Sequence, residues 1–177
     1  CYKDNPNRVA DLKLACDLIE TYARIFLSTK SHIMPERTRL NVDDPNSTDF
    51  AIDTDNYMLR PETAESIYVL WKFTGLEKYR DYAWELFKGI NQSCYSPYGY
   101  SQVSGLNKDQ PSKEDVQESF FLAETLHYLY LTFSDTNLLH PTEFVFNTEA
   151  HPLRIWSKET ANRFKKHITI AADGSMP

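Results

Sequence analysis

Between residues 9 and 27 the apolar side chains Val9, Leu12, Cys16, Ile19, Ala23 and Phe26 recur at three- and four-residue steps. That spacing lines up one face of an α-helix and demands something apolar to cover it. The same period returns behind local punctuation. Pro61 suits a first helical turn, where its missing N–H costs nothing, and Ala64, Ile67, Tyr68 and Trp71 then share a face as far as Phe73. Thr74-Gly75 breaks this second helix, and Leu76, Tyr79, Ala83, Leu86, Phe87 and Ile90 restart the pattern at once. So short a break folds the third helix back on the second as a helical hairpin. Ser112-Lys113-Glu114-Asp115 resembles a capping box ahead of a fourth helix through Leu122, Leu126, Leu129 and Phe133. That helix is apolar nearly all round and is expected to be deeply buried. The outline is an all-α chain of antiparallel helix pairs with short strands on the connections.

The connections read differently. Residues 31–51 are turn-rich around Pro35 and Pro45, with room for a short strand in 33–40. Residues 99–105 form a turn or strand. Residues 143–151 hold the β-formers Phe144, Val145 and Phe146, which favour a hairpin strand over a helix. From Ser157 the chain is a charged tail, so the expected division is a domain over 1–156 and a tail over 157–177. No repeat or low-complexity segment is present.

An apolar content of 41% in 177 residues supplies a real core, so the chain is expected to fold. Nineteen basic residues against 25 acidic ones give a net charge of -6 with no basic cluster. This leaves no electrostatic footprint for nucleic acid or an anionic membrane. No apolar run approaches the roughly 20 residues of a membrane span. The chain starts at Cys1, which reads as a cut terminus. Cys1, Cys16 and Cys94 lack the close spacing of a zinc site, leaving one disulfide and a free thiol, or three thiols. Asn46-Ser47-Thr48 and Asn91-Gln92-Ser93 are glycosylation sequons, which matter if the chain enters the secretory pathway.

Three acidic clusters sit beside apolar or aromatic residues, where an uncompensated carboxylate is costly to bury. Glu62 and Glu65 lie three apart at a helix start, on one face; a bare pair of this kind ordinarily stabilises the helix dipole. Glu118, Phe120 and Glu124 set an aromatic ring one helical turn from a carboxylate, a combination that suits the apolar face and hydroxyl fringe of a sugar. On spacing alone, Phe120 as core and Glu124 as a solvated edge is the plainer reading. Phe146-Asn147-Thr148-Glu149-Ala150-His151-Pro152 crowds hard oxygen donors into an extended turn, suiting calcium better than zinc.

In order and spacing, Leu59-Arg60-Pro61-Glu62-Thr63-Ala64-Glu65-Ser66, then Glu118-Ser119-Phe120-Phe121-Leu122-Ala123-Glu124-Thr125-Leu126, then Val145-Phe146-Asn147-Thr148-Glu149-Ala150-His151-Pro152-Leu153 resemble the three C-terminal motifs of the class I alpha-1,2-mannosidases, glycoside hydrolase family 47. The resemblance spans residues 9–156. It implies the C-terminal portion of a paired-helix (α/α) barrel, plugged by a hairpin that carries Thr148. It also implies Ca2+ bound by the hydroxyl and carbonyl of Thr148. Glu62 would be the general base, Phe120 the platform under the mannose, and Glu65, Glu124 and Glu149 the holders of metal-bound waters or sugar hydroxyls. Arg60 would hold the site together.

The implied reaction is inverting hydrolysis of alpha-1,2-linked mannose from high-mannose N-glycans, which also needs an acid roughly 6.5 to 9.5 Å from the base. In the family that acid, with another essential acidic residue, lies upstream of the matched region, so this chain alone is expected to be incomplete and inactive. A Cys1–Cys16 disulfide is implied across a shorter connection than the family's. The resemblance places the protein in the secretory pathway, in the endoplasmic reticulum or Golgi lumen or secreted, with a membrane anchor belonging to the full protein if there is one. The rival in another class is a mannose-glycan-binding, lectin-like module of glycoprotein quality control that recognises the sugar without cleaving it.

Overall fold

The computed structural model describes residues 5–41, 43, 50–134 and 138–161. The chain divides into two units, Cys1–Leu138 and Leu139–Pro177. In the first unit, α1 (Arg8–Ser28) forms over the predicted stripe, but only its second half is covered: Ile19, Ala23, Ile25 and Phe26 are buried while Val9 stays open to solvent. Helices α2 (Glu62–Thr74) and α3 (Lys78–Cys94) make the expected hairpin. Gly75 closes α2 in the left-handed region at φ 65°, and its N–H reaches the Trp71 carbonyl. That conformation carries no Cβ penalty for glycine. Tyr68, Tyr79, Ile67 and Leu86 are fully shielded between these helices and their neighbours, the burial of Ile67 and of Leu86 worth about 1.5 to 3 kcal/mol each.

The strands are short and lie on the connections. β1 (Arg37–Leu40) pairs antiparallel with β2 (Phe50–Thr54), Arg37 opposite Thr54 and Leu40 opposite Phe50. β3 (Asn56–Tyr57) is followed, after α3, by a tight hairpin of β4 (Tyr95–Ser96) and β5 (Gly99–Tyr100). β6 (Val103–Ser104) then lies between β3 and β7 (Ser112–Lys113).

Two sequence expectations fail in this stretch. Ser112-Lys113-Glu114-Asp115 caps no helix: Ser112 and Lys113 are β7, and the Glu114 N–H goes to the Gln102 carbonyl at 2.9 Å. An open edge on β6 satisfies those backbone groups better than a helix start would. The fourth helix instead opens after Glu118 with a π-helical turn, Phe121–Thr125, that runs into α4 (Leu126–Phe133). Nor is that helix buried all round. Phe121, Tyr128, Leu129 and Leu131 are enclosed, with α2 and α3 packed against it, but Leu122 and Tyr130 on the other face are 61% and 63% exposed. Paired helices are present, and the described residues form no closed barrel. None of the described helices is long and apolar enough to cross a membrane.

In the second unit, β8 (Phe144–Phe146) and β9 (Pro152–Arg154) form the predicted hairpin, Phe144 opposite Arg154. A helical turn starts at Lys158, its first N–H groups capped by Ser157, whose hydroxyl accepts from the Thr160 N–H at 3.1 Å.

Candidate functional site

The head of α2 is where the first motif acquires a shape. Leu59, fully buried, adopts φ 64°, a conformation that costs a branched L-residue about 1 to 2 kcal/mol. Two long-range bonds hold the chain there. The Thr125 hydroxyl donates to the Leu59 carbonyl at 2.6 Å, and the Tyr57 hydroxyl donates to the Arg60 carbonyl at 3.1 Å. Pro61 follows, and its carbonyl accepts the Glu65 N–H at 2.9 Å, the first bond of the helix. Glu62 therefore projects from the first turn, exposed, with the helix N-terminus beneath it.

Arg60 is tied from a second direction. Its Nε donates to Glu36 Oε2 at 2.7 Å, its Nη1 lies 3.9 Å from Glu62 Oε1, and its guanidinium sits 5.8 Å from the centroid of the half-buried Phe120 ring. The Glu36 hydrogen bond and charge hold the Arg60 guanidinium above its usual range. Glu36 also accepts the Met58 N–H at 2.9 Å. Burial, with smaller contributions from Cys94, Glu36 and Glu62, pushes the Tyr57 hydroxyl well up, so it remains a donor. These groups open onto a cavity of about 330 Å³ walled by Tyr22, Met34, Pro35, Glu36, Tyr57, Arg60, Glu62 and Thr63. Glu118 stands near enough to act on Arg60 electrostatically, and its own carboxylate accepts from Gln102 Nε2 at 2.9 Å.

Glu65 and Glu124 belong to a neighbouring group. Tyr128, on α4, donates its hydroxyl to Glu65 Oε1 at 3.3 Å. Burial first, then Glu65 and Glu124, raises that hydroxyl's pKa. Glu124 lies in the π-helical turn and is buried; such a turn inserts one residue and re-aims those beside it. The first unit thus brings Arg60, Glu62 and Phe120 together, and sets Glu65 with Glu124 around one tyrosine.

Thr148 and Glu149 belong to the second unit. Between β8 and β9 the turn winds about Asn147, whose Oδ1 accepts the N–H of Glu149 at 3.0 Å and of His151 at 2.8 Å. Ala150 takes φ 56°, and the Asn147 carbonyl accepts its N–H at 3.0 Å. Thr148 and Glu149 are left exposed at the tip, and neither the hydroxyl nor the carbonyl of Thr148 takes a hydrogen bond among the described residues. A hydroxyl and a carbonyl oxygen are hard donors of the type calcium takes, two of the roughly six to eight it coordinates. His151 is spent on the turn, its ring Nδ1 3.3 Å from the Asn147 carboxamide. Among the described residues no three His, Cys, Asp or Glu side chains converge as a metal-binding group.

The other sequence candidates are the cysteines and the sequon asparagines. Cys16 is a half-buried free thiol and Cys94 a buried one, while Cys1 lies outside the described residues. Asn91 is exposed at the end of α3, its Oδ1 accepting the Tyr100 hydroxyl at 2.7 Å; Asn46 lies outside the described residues. Sequence reasoning missed Glu36 and Tyr57. Pro35-Glu36 carries no motif spacing, and only the surplus of acid beside a proline-bounded loop could have drawn attention to it.

Comparison with known proteins identifies the family. Residues 2–155 match the model of glycosyl hydrolase family 47. The chain is 40% identical to the mannosyl-oligosaccharide alpha-1,2-mannosidase IA of Spodoptera frugiperda, over 85% of its own length and 22% of the relative's. It is also 40% identical to the human endoplasmic reticulum mannosyl-oligosaccharide 1,2-alpha-mannosidase, over 82% and 22%. The alpha-1,2-mannosidase from Trichoderma reesei superposes with a TM-score of 0.76 at 30% identity, over 85% of this chain and 35% of that one. The chain therefore spans about a fifth of the length of these two sequence relatives. With a family match over almost the whole chain and 40% identity to a relative over 85% of it, the chain belongs to glycosyl hydrolase family 47.

Proposed function

We propose that this chain contributes the general base and the calcium anchor to an inverting alpha-1,2-mannosidase that trims high-mannose N-glycans. The observation that carries the reading is the placement of Glu62: a first-turn carboxylate on a 330 Å³ cavity, steadied by Arg60 without being consumed by it. At 3.9 Å the guanidinium orients the carboxylate electrostatically, yet leaves its oxygens free to accept a proton from water. Phe120 is half-buried beside Arg60, so part of its ring remains for the apolar face of a pyranose. Glu65, fixed by Tyr128, and Glu124 in the π-helical turn supply further acceptors for sugar hydroxyls or ordered water. Thr148 would hold calcium through its hydroxyl and carbonyl, with Glu149 beside it. When bound, the ion supplies a hard positive centre that orders water and ring hydroxyls. The acid that protonates the leaving oxygen is assigned to a part of the family's catalytic domain outside these residues. The names of the relatives support the substrate class, and that of the human one supports a site of action in the secretory pathway. The exposed Asn91 sequon is then a glycan acceptor.

The test is release of mannose from a high-mannose N-glycan by the catalytic domain that contains this chain. Glu62→Gln should lower kcat by on the order of 10² to 10⁴, the usual worth of a general base, while glycan binding persists. Thr148→Ala should abolish saturable calcium binding measured by calorimetry. Unchanged turnover in the first variant removes the base assignment, and unchanged calcium affinity in the second removes the anchor. Binding without any turnover in the wild type points to a lectin.

A further inference from the structure

Glu36 is a carboxylate with no place in the motifs, yet its side chain is only 14% exposed. A shielded carboxylate persists only where its charge and lone pairs are met. Here one oxygen takes the Met58 N–H at 2.9 Å and the other takes Arg60 Nε at 2.7 Å. Its own N–H donates to the Asn56 carbonyl at 3.0 Å, so its backbone is fastened to β3 and its side chain to the connection between β3 and α2. The loop that delivers it is fixed as well. Thr29 Oγ1 accepts the Ile33 N–H at 3.2 Å, and the Ser31 N–H reaches the Leu106 carbonyl at 3.1 Å. Helix α3 lies so close to that loop that a Cβ on Gly89 would meet the Ser31 and His32 carbonyls.

From this geometry we infer that Glu36 is a positioning residue: it holds the guanidinium of Arg60 by Nε, over Phe120, and so keeps Arg60 from closing onto Glu62. The inference rests on the reading of Glu62 as general base. Glu36 and Glu62 compete for one cation. The 2.7 Å bond goes to Glu36, and Glu62 is left at 3.9 Å, beyond hydrogen-bond reach. Neutralising Glu36 frees the guanidinium to swing, and of the two carboxylates left acting on it the exposed Glu62, at 3.9 Å, has the stronger pull, ahead of Glu118. A bidentate pair there occupies the lone pairs that the attacking water needs. Arg60 also leaves the ring that the sugar must meet, so orientation is lost along with the base.

Glu36→Gln keeps the shape of the side chain and an acceptor for the Met58 N–H while removing the charge. In the catalytic domain that contains this chain, kcat for mannose release should fall roughly ten- to a hundredfold, with KM moving by less than about threefold and the melting temperature unchanged. The decisive readout is coupling. In an Arg60→Lys background, where no Nε fork exists, Glu36→Gln should cost less than about twofold more, because its action passes through Arg60. A purely structural role would lower the melting temperature and multiply its loss in both backgrounds. If Glu36→Gln proves unstable, Glu36→Asp decides in its place: it withdraws the carboxylate by one methylene, and the same loss with the same silence beside Arg60→Lys is expected. Wild-type kcat in the stable variant, or full additivity with Arg60→Lys, overturns the inference. Glu62→Gln assayed alongside separates the two readings. If that variant turns over normally, the proposed function fails; if it is inactive and Glu36→Gln is normal, only the positioning role fails.

Discussion

The head of α2 and the tip of the β8–β9 hairpin each present family motif residues, but they are held in opposite ways. Arg60 and the strained Leu59 are fastened by partners far along the chain: Glu36 is 24 residues away and Thr125 is 66. Asn147, Thr148 and Glu149 are held by bonds that span four residues or fewer, most of them to one carboxamide. A site fastened at long range is as rigid as the packing behind it, and damage to that packing spreads. A site built from its own turn depends on one side chain, and damage to it stays local.

The largest test of that contrast is Thr125→Val. The side chain keeps its shape, but the buried Leu59 carbonyl loses a 2.6 Å donor. An unsatisfied buried carbonyl costs about 1 to 3 kcal/mol, and the left-handed Leu59 loses one of the bonds that impose it. Urea unfolding should show a loss in that range, and amide exchange should quicken at the head of α2 and in the π-helical turn together. A loss confined to α4 would mean that the two elements are not coupled through this bond.

That coupling explains how much was legible in the sequence. Helices α1, α2 and α3 followed from periodicity, because an apolar stripe at helical spacing has few other solutions. The first hairpin strand followed from the β-formers Phe144, Val145 and Phe146. Each of these is a local property. Ser112-Lys113-Glu114-Asp115 misled because a capping box and a strand edge use the same polar residues, and only the open edge of β6 decided between them. The open face of α4 at Leu122 and Tyr130 was hidden because an all-apolar helix shows no preferred side. For the candidate site, Arg60, Glu62, Phe120 and Glu124 were nominated by motif, whereas Glu36 and Tyr57 were not, since their contacts exist only once β3, α2 and the 29–36 loop are brought together. The π-helical turn at Glu124 has no spacing signature in the sequence at all.

A middle-sized effect is expected at the hairpin. Asn147→Ala removes the acceptor for two N–H groups, those of Glu149 and His151, at a cost of about 1 kcal/mol, like the loss of a helix cap. Those two amides should exchange several-fold faster by hydrogen exchange, with the first unit unaffected. Asn147→Asp, which keeps an acceptor oxygen, should restore most of the protection. Accelerated exchange at the head of α2 in Asn147→Ala would break the claim that the hairpin stands on its own bonds.

The effect that is smallest at neutral pH, where it is silent, separates the two regions by charge. Burial pushes the Cys94 thiol up to about 12 from an ordinary 9.0, and Cys94 in turn helps raise the Tyr57 hydroxyl that holds the Arg60 carbonyl. In the unfolded chain the thiol ionises near its ordinary value, while in the native state it keeps its proton until pH approaches 12. Between those limits the native state binds the extra proton, so stability is complete below pH 9 and falls as pH climbs toward 12. One group contributes a slope of about 1.4 kcal/mol per pH unit at most. Cys94→Ala should remove that share, making the alkaline fall in unfolding free energy shallower by about one proton while leaving a residual slope from the buried tyrosines, such as Tyr68, which burial pushes to about 12. In the wild type the same pH rise should loosen the amides around Tyr57 before those of the hairpin, whose turn around Asn147 rests on no titrating group in this range. An alkaline slope that Cys94→Ala leaves intact would show that the thiol is not held neutral by its surroundings, and that the head of α2 draws its firmness from hydrogen bonds alone.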